Sequence, residues 1–262
     1  MTQRKTIVMI HGFRGTHHGL AKVAAHLPSS YNIIIPDIPG FGEGEALDDY
    51  SLDSYVAWLH RFITSLHATQ PPILLGHSFG SIIAATYAKR YPETIQKLVL
   101  VNPIGVPALE GPRAILTKLA QFHYWLGRKL PPKIAMRWLS AKPVMFIMST
   151  TMTKTPNKQL RKWIHHQHYR HFSSFHSAES VSQAFTTSVS HNVRDVAAAI
   201  TVPTALIVGE RDDITPLDKQ YELHELFPSS SLHVINNVGH LTHYETPEEV
   251  ASVTHAFVSR LP

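Results

Sequence analysis

The sequence of 262 residues predicts an α/β fold, with a mostly parallel sheet of about six strands flanked by helices and a helical insertion. Two observations predict this fold. Short runs rich in Ile, Val and Leu alternate with amphipathic stretches near both ends of the chain, as is typical of buried parallel strands joined by helices. Between these ends, residues 105–194 lose the alternation and have helical character.

Six apolar runs are the predicted strands, and helical patterns lie between them. The predicted strands are Ile7–Ile10, Asn32–Pro36, Ile73–Leu75, Leu98–Val101, Ala205–Val208 and His233–Ile235. The predicted helices of the two ends are Leu20–Leu27, Leu52–Leu66, Ser81–Arg90, Leu217–Phe227 and Glu248–Leu261. Because strand and helix patterns resume after the insertion, we predict one core formed by residues 1–104 and 195–262.

The insertion, residues 105–194, is predicted to be a separate helical cap with an unusual charge. It holds 13 Lys/Arg and 2 Asp/Glu, a net charge of +11, whereas the remainder of the chain has a net charge of −6. Ala114–Leu126 and Lys158–Tyr169 are its predicted helices, and proline pairs and Thr-rich stretches punctuate it. The charge indicates either a solvated helical surface or a field that attracts anionic substrates.

The composition and the lengths of the apolar runs exclude cysteine-dependent sites and argue against a signal peptide or a membrane span. There is no cysteine, which rules out disulfides, thiolate metal sites and a cysteine nucleophile. The apolar run Thr6–Ile10 is too short for the core of a signal peptide, and the longest run in the cap, Val144–Met148, is far below the roughly 20 residues of a membrane span. We therefore expect a cytoplasmic protein with no membrane span, no nucleic-acid partner and no cofactor.

A possible nucleophile lies in Gly76-His77-Ser78-Phe79-Gly80, between a predicted strand and a predicted helix. A turn this sharp forces the serine into strained backbone geometry and exposes its hydroxyl above the sheet. The flanking glycines allow the strand and helix to approach closely. The beginning of the helix favours developing negative charge. The spacing alone is a weak signal, but this context points to nucleophilic catalysis.

Four further motifs follow predicted strands in the order typical of one family, and with the serine motif the chain resembles the α/β-hydrolase fold family over essentially its whole length. These motifs are His11-Gly12-Phe13, Asp37-Ile38-Pro39-Gly40-Phe41-Gly42, Gly209-Glu210-Arg211-Asp212 and Val238-Gly239-His240. The resemblance implies the α/β-hydrolase fold with an inserted helical cap. Because only five residues precede Thr6, we expect six strands where this family often has eight.

The resemblance also implies a role for each motif. Ser78 is the expected nucleophile, His240 the base that takes its proton, and Asp212 the acid that fixes the tautomer of His240. The backbone N–H groups of Phe13 and Phe79 occupy the family's positions for an oxyanion hole.

Other residues compete for some of these roles. Asp213 is an alternative to Asp212, and His243 is an alternative to His240. His165 and His168 are spaced to share a helix face, which admits a metal site, but no nearby Asp or Glu supplies a third ligand. We favour a polar surface for this run of histidines and expect no bound metal.

The predicted function is that of a serine hydrolase, which cleaves a small-molecule carboxylic ester or thioester through an acyl-enzyme. An anionic substrate is compatible with the basic cap. A serine at position 78 argues against epoxide hydrolases and haloalkane dehalogenases, which place aspartate there. Two alternatives remain: a hydrolase of carbon–carbon bonds in anionic diketone-type substrates, for which Leu241 replaces the usual Trp, and a non-catalytic binding protein on the same fold.

Overall fold

The computed structural model describes residues 4–107 and 114–260, and its strands form one parallel sheet of six strands in the order β2-β1-β3-β4-β5-β6. The predicted fold class is thus confirmed. The strands are β1 (Lys5–Ile10), β2 (Tyr31–Ile34), β3 (Ile73–His77), β4 (Lys97–Val101), β5 (Thr204–Gly209) and β6 (Ser230–Ile235).

Eleven α-helices accompany the sheet in the described part of the chain. They are α1 (Ala21–His26), α2 (Leu52–Ser65), α3 (Phe79–Arg90), α4 (Ala114–Lys129), α5 (Pro132–Leu139), α6 (Lys142–Met152), α7 (Lys158–His171), α8 (Ala178–Ser190), α9 (Leu217–Leu226), α10 (Thr242–Glu245) and α11 (Pro247–Ser259).

Strand β1 illustrates how the sheet separates two hydrophobic cores. Its side chains alternate between faces, as the pleat of a strand requires. Ile7 and Met9 pack with residues of α1 and α11, whereas Val8 and Ile10 pack with residues of α2 and α3. Both faces of the sheet are covered by helices, which explains why the strands consist of continuous apolar runs.

Helices α4–α8 occupy the chain between β4 and β5, within the stretch predicted to be the cap. Asn157 caps the beginning of α7, where its side chain accepts hydrogen bonds from the amides of Gln159 and Leu160. The division into a core and a separate cap at residues 104/105 and 194/195 stays a prediction.

The element bounds differ from the predicted ones mainly at their ends. Helix α3 begins at Phe79, two residues before the predicted Ser81, and β2 ends at Ile34, before the predicted Pro36. The predicted end of the last helix, Leu261, lies outside the described residues. In the part of the chain that the structure describes, no helix has both the length and the apolar character needed to cross a lipid bilayer.

Candidate active site

The turn between β3 and α3 holds Ser78 in a strained backbone conformation. Its φ is 53° and its ψ is −119°, a region that L-residues rarely adopt. Its amide donates to the carbonyl of Val101 at 3.1 Å, and its carbonyl accepts hydrogen bonds from the amide and the hydroxyl of Ser81. Ser78 is thus fixed at the carboxyl end of the sheet, immediately before the first turn of α3.

The glycines around this serine are required by close packing. A Cβ at Gly76 would lie 2.4 Å from the carbonyl oxygen of Gly80, and a Cβ at Gly80 would lie 2.3 Å from that of Ile10. These are distances that real Cβ atoms do not show. The beginning of α3 therefore lies directly against β3 and the end of β1, and a larger residue at either glycine would displace Ser78.

His240, in the loop after β6, joins Ser78 to Asp212, in the loop after β5. The Ser78 hydroxyl donates to Nε2 of His240 at 2.8 Å. On the other side of the ring, Nδ1 of His240 donates to Oδ2 of Asp212 at 2.7 Å. The three residues come from separate loops at the carboxyl ends of β3, β5 and β6, which belong to one parallel sheet. The structure thus brings together the three side chains that the sequence predicted, in the arrangement of a nucleophile, a base and an orienting acid.

Asp212 is buried and held as a carboxylate by several donors. Oδ2 accepts from the hydroxyl of Thr215 at 2.6 Å, and Oδ1 accepts from the amides of Ile214 and Thr215. Burial alone would raise the pKa of Asp212, but the charge of His240 and the side-chain hydrogen bonds from His240, Thr215 and Asn102 lower it to about 2. The carboxylate is therefore ionised over the working range of an imidazole base.

The neighbouring Asp213 has a different environment. Its side chain is exposed and forms an ion pair with Lys154, just after α6. Between the two aspartates that the sequence left open, Asp212 is therefore the one that contacts His240.

Asn102 is a site residue that the sequence analysis missed. It follows β4, is fully buried and has a positive φ of 44°. Its Nδ2 donates to Oδ2 of Asp212 at 2.7 Å, and its Oδ1 accepts from the hydroxyl of Thr242 at 2.5 Å. Asn102 therefore ties Asp212 to the segment that follows His240. Its only sequence signal was an asparagine directly after a buried strand, a residue type that tolerates positive φ.

The proposed oxyanion-hole residues, Phe13 and Phe79, flank the serine. A Cβ at Gly12 would lie 3.1 Å from Cβ of Ser78, so the loop after β1 approaches the serine closely. Within the described residues, the backbone N–H groups of Phe13 and Phe79 have no hydrogen-bond acceptor. Two unpaired donors beside a nucleophile are what a developing oxyanion requires.

The residue after Phe13, Arg14, is buried and links this loop to the inserted helices. Its φ is 60° and its guanidinium lies 5.2 Å from the centre of the Phe175 ring. The guanidinium donates to the carbonyl of Phe172 at 2.9 Å, the carbonyl of Leu139 at 2.9 Å and the hydroxyl of Tyr124 at 3.1 Å. No carboxylate pairs with it among the residues that the structure describes.

Asp37 organises the loop after β2 and does not reach the serine. Its carboxylate accepts from the amides of His17 and Glu43. Burial alone would raise the pKa of Asp37, but these two hydrogen bonds and the nearby histidines lower it. A Cβ at Gly42, where φ is 53°, would lie 2.0 Å from Oδ2 of Asp37, so only glycine fits there. In the neighbouring loop, His11 is also structural, because its Nε2 accepts from the amide of Ile38 at 3.0 Å.

Two buried histidines, His77 and His243, pack near His240, and within the described residues neither ring forms a hydrogen bond with the Ser78 hydroxyl. His77 donates through Nε2 to the carbonyl of His240 at 3.1 Å, and its ring centre lies 4.0 Å from that of His243. Burial lowers the pKa of His77 to about 3 and lowers that of His243 well below its ordinary value. His243, the alternative base, packs behind this ring, and no hydrogen bond joins it to Ser78 among the described residues.

The histidines of α7 contact a serine. Nδ1 of His165 and Nδ1 of His168 lie 2.5 and 2.6 Å from the hydroxyl oxygen of Ser149, on α6. Their spacing of three residues therefore serves the packing of α6 on α7. Within residues 4–107 and 114–260, no group of three or more His, Asp or Glu side chains is arranged to hold a metal ion.

Comparison with known proteins agrees with this geometry. Residues 5–247 match the family model described as alpha/beta hydrolase fold. The uncharacterized hydrolase YugF of Bacillus subtilis (strain 168) is 28% identical over 255 residues, which cover 95% of this chain and 88% of that protein. Monoacylglycerol lipase ABHD6 of Homo sapiens is 25% identical over 98% of this chain and 76% of its own. A structure of a thermophilic esterase from Thermogutta terrifontis shares the fold, with a TM-score of 0.79 at 21% identity over 97% of this chain and 89% of that one.

Proposed function

Because the chain belongs to the alpha/beta hydrolase fold family, we propose that it is a serine hydrolase that cleaves a carboxylic ester or thioester through an acyl-enzyme. The observation that carries the proposal is the continuous hydrogen-bonded path from Ser78 through His240 to Asp212, with distances of 2.8 and 2.7 Å. Two relatives whose names include the word lipase, monoacylglycerol lipase ABHD6 of Homo sapiens and lipase 3 of Moraxella sp. (strain TA144), support the hydrolysis of esters in general.

In the first half of the reaction, Nε2 of His240 takes the proton of Ser78 as the serine oxygen attacks the carbonyl carbon of the substrate. The imidazolium that forms is stabilised by the ionised Asp212, whose lowered pKa keeps it a hydrogen-bond acceptor. The tetrahedral oxyanion accepts hydrogen bonds from the amides of Phe13 and Phe79. Collapse of this intermediate transfers the proton from His240 to the departing alcohol or thiol and leaves the acyl group on Ser78.

In the second half, His240 takes a proton from water, which attacks the acyl-enzyme. The same two amides hold the second oxyanion, and the proton returns to Ser78 as the carboxylic acid leaves. Asn102 and Thr215 keep the carboxylate of Asp212 in place through both halves, because each donates to its Oδ2. Within the described residues neither side chain forms a hydrogen bond with Ser78, so we assign them positioning roles.

The surroundings of Phe13 favour an apolar acyl or aryl group. Its ring centre lies 5.8 Å from those of Phe41 and Tyr124 and 5.7 Å from that of Phe185. This cluster joins the loop after β1 to α4 and α8, directly beside the proposed oxyanion hole. A cluster of aromatic rings binds apolar groups because contact buries apolar surface and allows favourable ring packing. We therefore place a small ester with an apolar acyl chain first among candidate substrates; an anionic substrate and a cytoplasmic location stay predictions.

Labelling with a fluorophosphonate, followed by intact-mass measurement, tests the nucleophile. We expect one adduct on the wild-type protein, located on Ser78, and turnover of p-nitrophenyl esters. The Ser78→Ala variant should show neither. A hydrolase of carbon–carbon bonds would take the label but leave the esters intact, and a non-catalytic binding protein would do neither. Wild-type turnover in Ser78→Ala would end the assignment of Ser78.

A further inference from the structure

The exposed apolar side chains of the protein are concentrated on three consecutive helices. Eight of the eleven large hydrophobic residues that are exposed among the described residues belong to α4, α5 and α6, with exposed fractions between 41 and 69%. Single exposed apolar residues are ordinary, but a concentration of this kind marks an interaction surface. We call the exposed surface of α4 and α5 the apolar–basic face and define it by the exposed residues of these two helices, centred on Phe122, Trp125, Ile134 and Trp138.

On α4, the exposed apolar residues lie opposite the side that packs on the core. Tyr124 is buried against Phe13 and Phe185, so it marks the inner side of this helix. At 100° per residue, Leu119 and Phe122 lie on the far side of the helix from Tyr124. They are 61 and 58% exposed. These side chains therefore face away from the core and from the loop that carries Phe13.

The exposed sides of α4 and α5 adjoin one another. Gly127 brings the two helices together, because a Cβ there would lie 2.8 Å from the Leu139 side chain. The indole nitrogen of Trp138 donates to the carbonyl of His123 at 3.3 Å, which places this ring against α4. On α4 itself, the rings of Phe122 and Trp125 stack with centres 5.7 Å apart. The apolar groups thus form one area across the helix pair.

The charges interleaved with these apolar residues have a single sign. Residues 114–152 contain six Lys/Arg and no Asp/Glu, and all six side chains are exposed. Arg128 pairs with Glu179 on α8. For Lys129, Lys133 and Arg137 there is no acidic partner within the described residues. Aromatic and aliphatic side chains among unpaired cations are the composition that binds the surface of an anionic bilayer.

We propose that the apolar–basic face docks onto an anionic lipid bilayer, with the apolar side chains inserted at the interface and the cations against the headgroups. A second copy of the chain is a poorer occupant, because its identical face would present the same positive charges. The proposal goes beyond ester hydrolysis, since binding to a bilayer needs no reaction at Ser78.

Flotation with lipid vesicles tests the proposal. The vesicles are made either of equal parts phosphatidylglycerol and phosphatidylcholine or of phosphatidylcholine alone, and both are ether-linked so that they contain no carboxylic ester to cleave. We expect the wild-type protein to bind the anionic vesicles at least about tenfold more tightly than the neutral ones. Binding should weaken with salt as the Debye length falls from about 10 Å at 0.1 M to about 3 Å at 1 M.

Matched variants separate the two contributions. Trp125→Ser should weaken binding about tenfold, whereas Tyr221→Ser, an equally exposed aromatic on α9, should not change it. The combined Lys129→Gln, Lys133→Gln and Arg137→Gln variant should abolish the preference for anionic vesicles, and Lys89→Gln on α3 should keep it. Unchanged melting temperatures would show that the variants are folded.

Two results would overturn the proposal. One is equal binding of wild-type protein to both kinds of vesicle. The other is dimerisation without vesicles, measured by light scattering, that Trp125→Ser abolishes, because this would assign the apolar–basic face to a second copy. Neither result bears on ester hydrolysis, so the proposed function would stand or fall separately.

Discussion

The guanidinium of Arg14 donates through Nε to the backbone carbonyl of Phe172 at 2.9 Å, which joins the loop after β1 to the end of α7. Because its other nitrogens reach Leu139 on α5 and Tyr124 on α4, one buried side chain contacts three of the inserted helices. Arg14 is also the residue after Phe13. The position of the Phe13 amide therefore depends on how the inserted helices pack against the loop after β1.

We predict that Arg14→Met lowers both stability and turnover. Three acceptors lose their donor at about 1–3 kcal/mol each, partly offset because a buried charge is removed, so the free energy of unfolding should fall by about 3 kcal/mol. Loss of order in the Phe13 loop should lower kcat more than it raises KM. Arg14→Lys should restore little of the lost stability or turnover, because an ammonium group cannot reproduce the planar arrangement of donors in a guanidinium.

The control for this prediction is Arg128→Met. Arg128 forms an exposed ion pair with Glu179, and such pairs contribute about 1 kcal/mol at most. Urea unfolding and ester kinetics would be measured on both variants. If Arg14→Met kept wild-type kcat and stability, the proposed link between the inserted helices and the Phe13 loop would be wrong.

The two adjacent aspartates provide a second prediction. Asp212→Asn should lower kcat by a factor on the order of 10⁴, because an amide in this position favours the wrong tautomer of His240. Asp213→Asn removes an exposed carboxylate that pairs with Lys154 and should change kcat little. Steady-state kinetics on one p-nitrophenyl ester gives both values. The opposite ranking would transfer the role to Asp213.

The strained backbone at Ser78 predicts a difference between two inactive variants. Ser78→Ala and Ser78→Gly should both lose turnover. Glycine adopts a φ of 53° without steric strain, whereas alanine has a Cβ and keeps the strain of the wild-type backbone. The free energy of unfolding of Ser78→Gly, measured by urea titration, should therefore be about 1 kcal/mol larger than that of Ser78→Ala. Equal stabilities would mean that the turn relaxes when the serine is replaced.

The buried histidines predict that the protein loses stability in acid at a pH above the ordinary pKa of a carboxylate. His77, His168 and His243 are buried, and burial lowers the pKa of each, to about 3 for His77 and His168. In the unfolded chain each takes up a proton as pH falls below about 6.5, whereas the folded protein keeps them neutral. Stability should therefore be complete above pH 6.5 and fall towards pH 3, by about 2 kcal/mol at pH 5 for each of His77 and His168, and His243 should add to the loss in the same direction.

Neighbouring histidines on α7 allow this prediction to be checked. His168→Asn should flatten the dependence of unfolding free energy on pH between 7 and 5, whereas exposed His166→Asn should run parallel to wild type. The lowered pKa of Asp212, about 2, adds a loss of stability as pH falls through about 3.8, which lies outside the range of pH 7 to 5 in which the variants are compared. If His168→Asn kept the wild-type slope, His168 would not be neutral in the folded protein.

The sheet was predictable from sequence where burial is complete. Strands β3, β4 and β5 are buried along their whole length, and each begins or ends within two residues of its predicted bound. The edge strand β6 was predicted three residues too short, because it begins with the partly exposed Ser230 and the exposed Ser231. An edge strand has one neighbour, so polar residues are tolerated in it and the apolar pattern weakens.

The inserted helices were predicted less completely. From sequence, the proline pairs in the insertion are predicted to separate its helices. In the structure, Pro132 and Pro143 lie in the first turn of α5 and α6, where a missing N–H leaves no hydrogen bond unmade. Asn102 and the partners of Arg14 were not predictable in principle from local pattern, since their contacts join residues 110 or more positions apart.

The distance along the chain between Ser78 and His240, 162 residues, has a consequence for biosynthesis. The ribosome adds about 5–20 residues each second, so roughly 8–30 s separate the appearance of the serine from that of its base. During that interval the nascent chain has a serine hydroxyl but no imidazole to activate it, and β6 has not yet joined the sheet. The proposed hydrolytic activity therefore cannot appear before His240 has been synthesised, and we expect products truncated before this residue to be inert towards esters.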